Sequence, residues 1–177
     1  MNKRTNNLLS NNLRAIRYLA YGSNLHPARL QARVSSAAFS SVVRLRGWSL
    51  NFSKIGRDGS GKCNIVKSDE GVIHVAIYKI SIKDLQQLDV IEGIGRGYRS
   101  SMLNVPRIGA CHVYLAQESF IDHQQAPYDW YKELVLAGVR HHSFPIEYVK
   151  YIEKVRSKID LDQKRAQNNL SVLTKSI

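Results

Sequence analysis

Ile16-Arg17-Tyr18-Leu19-Ala20-Tyr21-Gly22-Ser23-Asn24 passes from strand to turn. Ile16, Tyr18 and Ala20 alternate with Arg17, Leu19 and Tyr21, the period-two pattern of a β-strand. Gly22 interrupts the pattern, and a sharp turn there is expected to use the positive φ that glycine tolerates. Ser23 and Asn24 are helix-capping residue types, and Pro27 suits the first position of a short helix carrying Leu30 and Val34. Such a strand–turn–helix junction presents unpaired backbone N–H groups, which stabilise an anionic ligand or a developing oxyanion. An ordinary βα turn accounts for Tyr21–Asn24 equally well, so any function must be argued from further residues.

Working outward, Ser40–Ser53 reads as a long strand with Trp48, Leu50 and Phe52 on one face and Gly47 marking a bend. Residues 56–61 form a glycine-rich loop and Asn64–Lys67 a short strand. Ser68-Asp69-Glu70-Gly71 is expected to turn the chain into the strand Val72–Lys79. Ser81 opens a helix, with Asp84 three residues later and Leu85, Leu88 and Ile91 as its apolar stripe; Gly93 ends it. Tyr98–Val105 and Ala110–Gln117 read as strands about the turn Pro106–Gly109. Pro127 precedes a helix with Tyr131, Leu134 and Val135 inward, and Pro145 starts another with Ile146, Val149 and Ile152 on one side. Strands interspersed with single helices, and no internal repeat, indicate one mixed α+β domain.

A chain of 177 residues with 44% hydrophobic content is long and apolar enough for one buried core. Its net charge of +12 is concentrated at the ends: residues 1–17 and 150–177 each carry +4, and the long middle only +4. No basic stripe interleaved with aromatics is visible, so no dedicated nucleic-acid role is expected. The ends read as a flexible leader over 1–14 and a basic tail over 161–177, flanking a domain over 15–160. Cys63 and Cys111 lack metal or redox spacing, as expected of free thiols in a reducing cytoplasm. Neither a signal peptide nor a membrane span is expected.

Glu92 stands apart among the carboxylates. It closes the helix Ser81–Ile91, follows Leu88 by four positions, and so lies beside the buried stripe. A carboxylate in such a place is costly unless paired or useful, and one at hand to take and return a proton suits acid–base chemistry. An exposed glutamate at a helix end is the plainer reading of the same position. Other candidates are weaker. Gly56–Lys62 has P-loop spacing, but Cys63 stands where Ser or Thr is needed and a β-like run follows. Gly93-Ile94-Gly95-Arg96-Gly97 follows a helix instead of a strand, against the dinucleotide pattern. His141 and His142 read as a polar loop, and His74 and His112 as strand histidines. Ser23 lacks the flanking glycines of a nucleophile elbow.

Taken together, Ala20–Leu25, Leu88-Asp89-Val90-Ile91-Glu92-Gly93, Tyr98, Tyr131, Ala137-Gly138 and Pro145–Tyr148 resemble the gamma-glutamylcyclotransferase family over roughly residues 17–155. The linker from Glu92 to Tyr98 is one residue shorter than in animal members. The resemblance implies a small mixed β-sheet or barrel with flanking helices. It also implies conversion of a γ-glutamyl amino acid or peptide into 5-oxoproline and a free amine, with no metal and no cofactor. Glu92 would then be the catalytic acid/base, and Tyr21, Gly22, Ser23, Asn24, Leu25, Tyr98 and Tyr131 would line the substrate site. The partner expected is a small γ-glutamyl substrate, with a monomer or homodimer as the assembly. A γ-glutamylamine cyclotransferase, a related acyl transferase and a catalytically silent binding module are the alternatives.

Overall fold

In the computed structural model the described residues are 15–174, and the leader expected over 1–14 lies outside them. β1 (Ala15–Ala20) is the middle strand of a five-stranded sheet ordered β2-β3-β1-β5-β4. It pairs antiparallel with β3 from Ala15↔Ser81 to Ala20↔Ala76, and parallel with β5 through Tyr18↔His112. With partners on both edges and packing on both faces, Tyr18, Leu19, Ala20 and Tyr21 are all buried. The long hairpin β2 (Ala38–Ile55)–β3 (Gly61–Ser81) and the shorter β4 (Tyr98–Val105)–β5 (Gly109–Ala116) complete the sheet. The helices are α1 (Pro27–Gln31), α2 (Ile82–Glu92), α3 (Asp129–His141), α4 (Ile146–Glu153) and α5 (Gln163–Leu170). The result is the α+β class expected from single helices set between strands.

The core is the product of the apolar runs. Ile73, Val75, Ala76, Ile77, Tyr78 and Ile80 of β3 are wholly buried, as a strand covered on both faces requires. From α3, Leu134, Val135 and Val139 pack inward at helical spacing. α2 starts where the sequence indicates: Ser81 Oγ accepts from the Asp84 N–H at 3.1 Å, and Gly93, at φ 73°, closes the last turn. Among the described residues, no helix is long and apolar enough to cross a membrane.

Three expectations need correction. Ser68–Gly71 is not a turn between two strands but part of the single strand β3. Arg46 pairs with Val72 and Trp48 with Lys67, so residues 68–71 bulge out opposite Gly47 and pairing resumes beyond. Ile91 and Ile146 are exposed, not inward. The α2 stripe runs through Leu85, Leu88 and Glu92, and that of α4 through Tyr148, Val149 and Ile152, about 110° from Ile146 at 100° per residue.

The third correction concerns the C-terminus. Instead of a loose tail, residues 163–170 form α5, and Ala166, Leu170, Val172 and Leu173 pack against the core. The link is Asp160, whose side chain is 2% exposed. It accepts from Trp130 Nε1 at 2.7 Å and from Arg165 Nε at 2.7 Å, with a second bond from the same guanidinium. These Arg165 bonds hold the Asp160 carboxyl well below the carboxylate range. A depressed pKa in the folded state contributes stability above the ordinary aspartate value of about 3.9, lost only as pH falls below it. Removing residues 161–177 is therefore expected to lower Tm at neutral pH by about 5 °C or more, where 1 kcal/mol moves a domain of this size by about 2–4 °C. Calorimetry of the shortened chain beside the full one checks this, and an unchanged Tm would make the segment dispensable.

Candidate active site

Where β1 ends, the chain makes one 3-10 turn, Ser23–Leu25, closed by the Leu25 N–H on the Gly22 carbonyl at 2.9 Å. The N–H groups at the start of that turn have no partner within it. The Leu25 carbonyl accepts from Tyr78 Oη at 2.6 Å and from His142 Nε2 at 2.8 Å, so that ring nitrogen carries the proton. Gly138 of α3 allows the close approach: a Cβ there would stand 2.4 Å from Leu25 Cβ and 2.9 Å from the His26 nitrogen. Gly22 is likewise a point of contact, with Cys63 Cβ 2.9 Å from where its own Cβ would be. Its φ is −121°, so the expected positive φ is not used; crowding, not torsion, explains the glycine.

Two adjoining cavities open beside this loop. The inner one, about 30 Å³, is lined by Tyr18, Tyr21, Gly22, Ser23, Asn24, Cys63, Glu92, Tyr98, Tyr114 and Tyr131. The outer, about 230 Å³, shares Ser23, Glu92, Tyr98 and Tyr131 and adds Arg29, Arg33, Lys54, Gly56, Arg57, Asp58, Lys62, Ile91, Trp130 and Asn169. Of the residues expected from the sequence, Tyr21, Gly22, Ser23, Asn24, Glu92, Tyr98 and Tyr131 come together here. Leu25 lines neither cavity; its side chain is wholly buried and it anchors the loop.

Glu92 sits at the junction of the two cavities, its side chain 16% exposed. Oε1 accepts from Asn24 Nδ2 at 3.0 Å and from Arg33 NH1 at 2.7 Å. Asn24 Nδ2 also donates to Tyr18 Oη at 2.9 Å, and Asn24 Oδ1 accepts from Arg33 at 3.1 Å. Among the described residues Oε2 has no hydrogen-bond partner, so it is the oxygen open to a ligand proton. The tyrosines are fixed by the backbone. Tyr98 Oη donates to the Cys63 carbonyl at 2.6 Å, Tyr131 Oη accepts from the Cys63 N–H at 3.1 Å, and Tyr21 Oη donates to the Tyr114 carbonyl. Burial raises the pKa of Tyr18, Tyr21, Tyr98 and Tyr131, so all four stay neutral, and it pushes the Cys63 thiol up to about 12.

The outer wall is cationic. Arg33 pairs with Glu92 at 2.7 Å and Lys62 with Asp58 at 2.8 Å. Burial, and then the neighbouring Arg33 charge, lower the Arg29 guanidinium to about 10; its NH1 donates to Asn169 of α5 at 3.1 Å. Burial also lowers the pKa of Lys54, which is only 4% exposed. Sequence reading passed over Lys54, Arg29, Arg33, Lys62, Tyr18 and Asn169. The signal for Lys54 was present: extending the inward alternation Trp48, Leu50, Phe52 by two residues puts a lysine on the buried face. His142, read as part of a polar loop, is the C-cap of α3 and holds the Leu25 carbonyl.

The arrangement offers a proton-accepting oxygen, N–H groups without a partner in their own turn and a surplus of positive charge. Chemically it suits an anionic or zwitterionic small molecule with a labile proton. Because the Cβ that Gly22→Ala adds meets the Cβ of a strand residue instead of a flexible side-chain tip, this substitution is expected to cost about 1–3 kcal/mol. Ser23→Ala, which removes a hydroxyl with no hydrogen-bond partner among the described residues, is expected to stay within about 0.5 kcal/mol. Urea unfolding of both variants checks the order, and equal midpoints would contradict it.

Comparison with known proteins bears on what this site belongs to. Residues 72–152 match the AIG2-like family model. The gamma-glutamylcyclotransferases of Bos taurus and Homo sapiens are each 27% identical over 145 residues, covering 78% of this chain and 77% of theirs. A solved structure described as gamma-glutamyl cyclotransferase superposes with a TM-score of 0.73 at 24% identity, covering 88% of this chain and 99% of that one, a likeness of fold. Over most of its length the chain is thus similar in sequence to gamma-glutamylcyclotransferases and shares their fold, and the AIG2-like family model matches its middle.

Proposed function

We propose that this chain is an enzyme that cyclises the γ-glutamyl group of a γ-glutamyl amino acid or peptide to 5-oxoproline, releasing the amine. The observation that carries the reading is Glu92. One oxygen is held by Arg33 and Asn24 and the other is without a partner among the described residues, at the meeting point of the two cavities.

The chemistry needs little beyond such a site. The substrate's α-ammonium gives a proton to Glu92 Oε2, and the freed amine attacks the γ-carbonyl of the same residue. One C–N bond forms, the carbonyl becomes a tetrahedral oxyanion, and the attacking nitrogen keeps two hydrogens and a positive charge. Glu92 gives its proton to the leaving nitrogen as the second C–N bond breaks. It then takes the surplus proton from the ring nitrogen and passes it to the released amine, which departs as an ammonium while 5-oxoproline keeps one N–H. The attack is intramolecular, so the protein's task is to hold the chain folded; well-oriented intramolecular reactions reach effective molarities on the order of 10⁵–10⁸ M. The N–H groups at the start of the Ser23–Leu25 turn are suited to the oxyanion or to the glutamyl carboxylate. Arg33 and Asn24 keep Glu92 aimed at the amine, and Tyr98 and Tyr131, locked on Cys63, shape the wall. No step calls for a metal ion or a cofactor.

Release of 5-oxoproline from γ-glutamyl dipeptides, followed by chromatography, tests the reading, and its absence with every γ-glutamyl compound tried would leave a binding module. Glu92→Gln keeps the side chain's shape and removes the proton acceptor. It is expected to fold, with a Tm lowered by loss of the Arg33 ion pair, and to lose at least about 10²-fold in kcat, since positioned acid–base groups contribute on the order of 10²–10⁴-fold. A variant retaining more than about a tenth of the wild-type kcat would move the acid/base role elsewhere.

A further inference from the structure

The charges lining the outer cavity do not balance. Five cations, Arg29, Arg33, Lys54, Arg57 and Lys62, face two carboxylates, Asp58 and Glu92. The pairs Arg33–Glu92 and Lys62–Asp58 cancel, leaving Arg29, Lys54 and Arg57 without a carboxylate partner among the described residues. Lys54 is the most demanding of the three. It is 4% exposed, among the described residues no carboxylate lies within ion-pair distance of it, and its Nζ rests 4.6 Å from the centre of the Tyr98 ring. Glu92 and Asp58 favour its charge only from beyond pairing distance, and an ammonium so largely buried without a direct partner is expensive unless an anion completes it.

A γ-glutamyl head group is a zwitterion: its ammonium faces Glu92 and its carboxylate meets one positive group or the turn's N–H groups. At least two cations therefore remain for the part of the substrate that leaves. We infer that the leaving amine is doubly anionic, an acidic amino acid or a short peptide bearing two carboxylates, with Lys54 as the specificity-determining residue and Arg57 or Arg29 taking the second charge. This rests on the cyclotransferase reading and narrows it. The same surplus opposes the alternative of a cationic leaving amine, which would bring another positive charge into a wall already holding three unpaired ones.

The test compares γ-glutamylglutamate, γ-glutamylalanine and γ-glutamylalanine amide, whose leaving portions carry two, one and no carboxylates. 5-Oxoproline release is measured on wild-type protein and on Lys54→Met, and binding of the same compounds is measured by calorimetry on Glu92→Gln. The expected result is a kcat/KM that falls from the first compound to the last, by roughly 10- to 100-fold for each carboxylate that no longer reaches a cation. In Lys54→Met the ratio between γ-glutamylglutamate and the amide is expected to collapse, and Lys54→Arg to restore part of it. Circular dichroism and Tm show that each variant is folded. Turnover that does not distinguish the three compounds, or a ratio that survives Lys54→Met, overturns the inference and leaves the cyclotransferase reading standing. Graded binding to Glu92→Gln with no turnover of any compound by wild type does the reverse: the anion site stands and the reaction falls. Neither turnover nor graded binding removes both.

Discussion

One carbonyl oxygen ties the site to the fold. The Leu25 carbonyl takes hydrogen bonds from Tyr78 on β3 and from His142 at the end of α3, while Gly138 lets the helix backbone press against the same residue. A turn leaving the middle of a sheet would otherwise have neighbours on one side only. Held at Leu25 and continuous with β1 at Ala20, the turn has little freedom between its ends, so the direction of its N–H groups and of Asn24 is set by the packing of two elements far apart in sequence. Asn24 then passes that order to Glu92, and through Tyr18 back to β1. The hydrogen bonds form a closed chain, in which each polar group is both held and holding.

The electrostatics of the cavity follow from where the sheet and the helices bring their cations. Burying several positive groups around a few carboxylates is unfavourable, and the lowered pKa of Lys54 and Arg29 expresses that cost. Two ion pairs relieve part of it. The remainder is strain of the kind that functional sites retain because an incoming ligand removes it. On the proposed reading, the glutamyl head group and the leaving anion complete the site, and substrate binding draws on charge already gathered in place. Asn169 shows that the C-terminal helix is part of this wall, since it bonds Arg29 across the cavity edge.

Much of this was legible in local pattern. Alternation marked β1, the inward face of β2 and the hydrophobic run of β3, and Ser81 with Gly93 marked both ends of α2. These signals are strong because strand period, capping and left-handed glycine are properties of a few neighbouring residues. The Tyr21–Asn24 junction and Glu92 at the end of α2 belong to the same class, and their likeness to one family was readable before any fold was known. Where local rules failed, a partner elsewhere decided. Ser68–Gly71 carries turn residues, yet β2 runs alongside to pair on both sides of it, and a bulge costs less than ending two ladders. The polar segment after Asp160 has a weak apolar stripe, but Trp130 and Arg165 converge on that carboxylate and bring α5 onto the domain.

Sequence by itself determined the class of the fold, the position of most elements, and the two places, Tyr21–Leu25 and Glu92, around which the proposed site is built. It did so because each depends on spacing within a turn or two of chain. Tertiary structure alone decided that Arg33 and Asn24 would share one oxygen of Glu92, that Lys54 would be buried with no carboxylate partner among the described residues, and that a C-terminal asparagine would reach the cavity. Those facts depend on distances between residues tens of positions apart, and the Coulomb and desolvation energies that give them meaning exist only once the chain has closed around them.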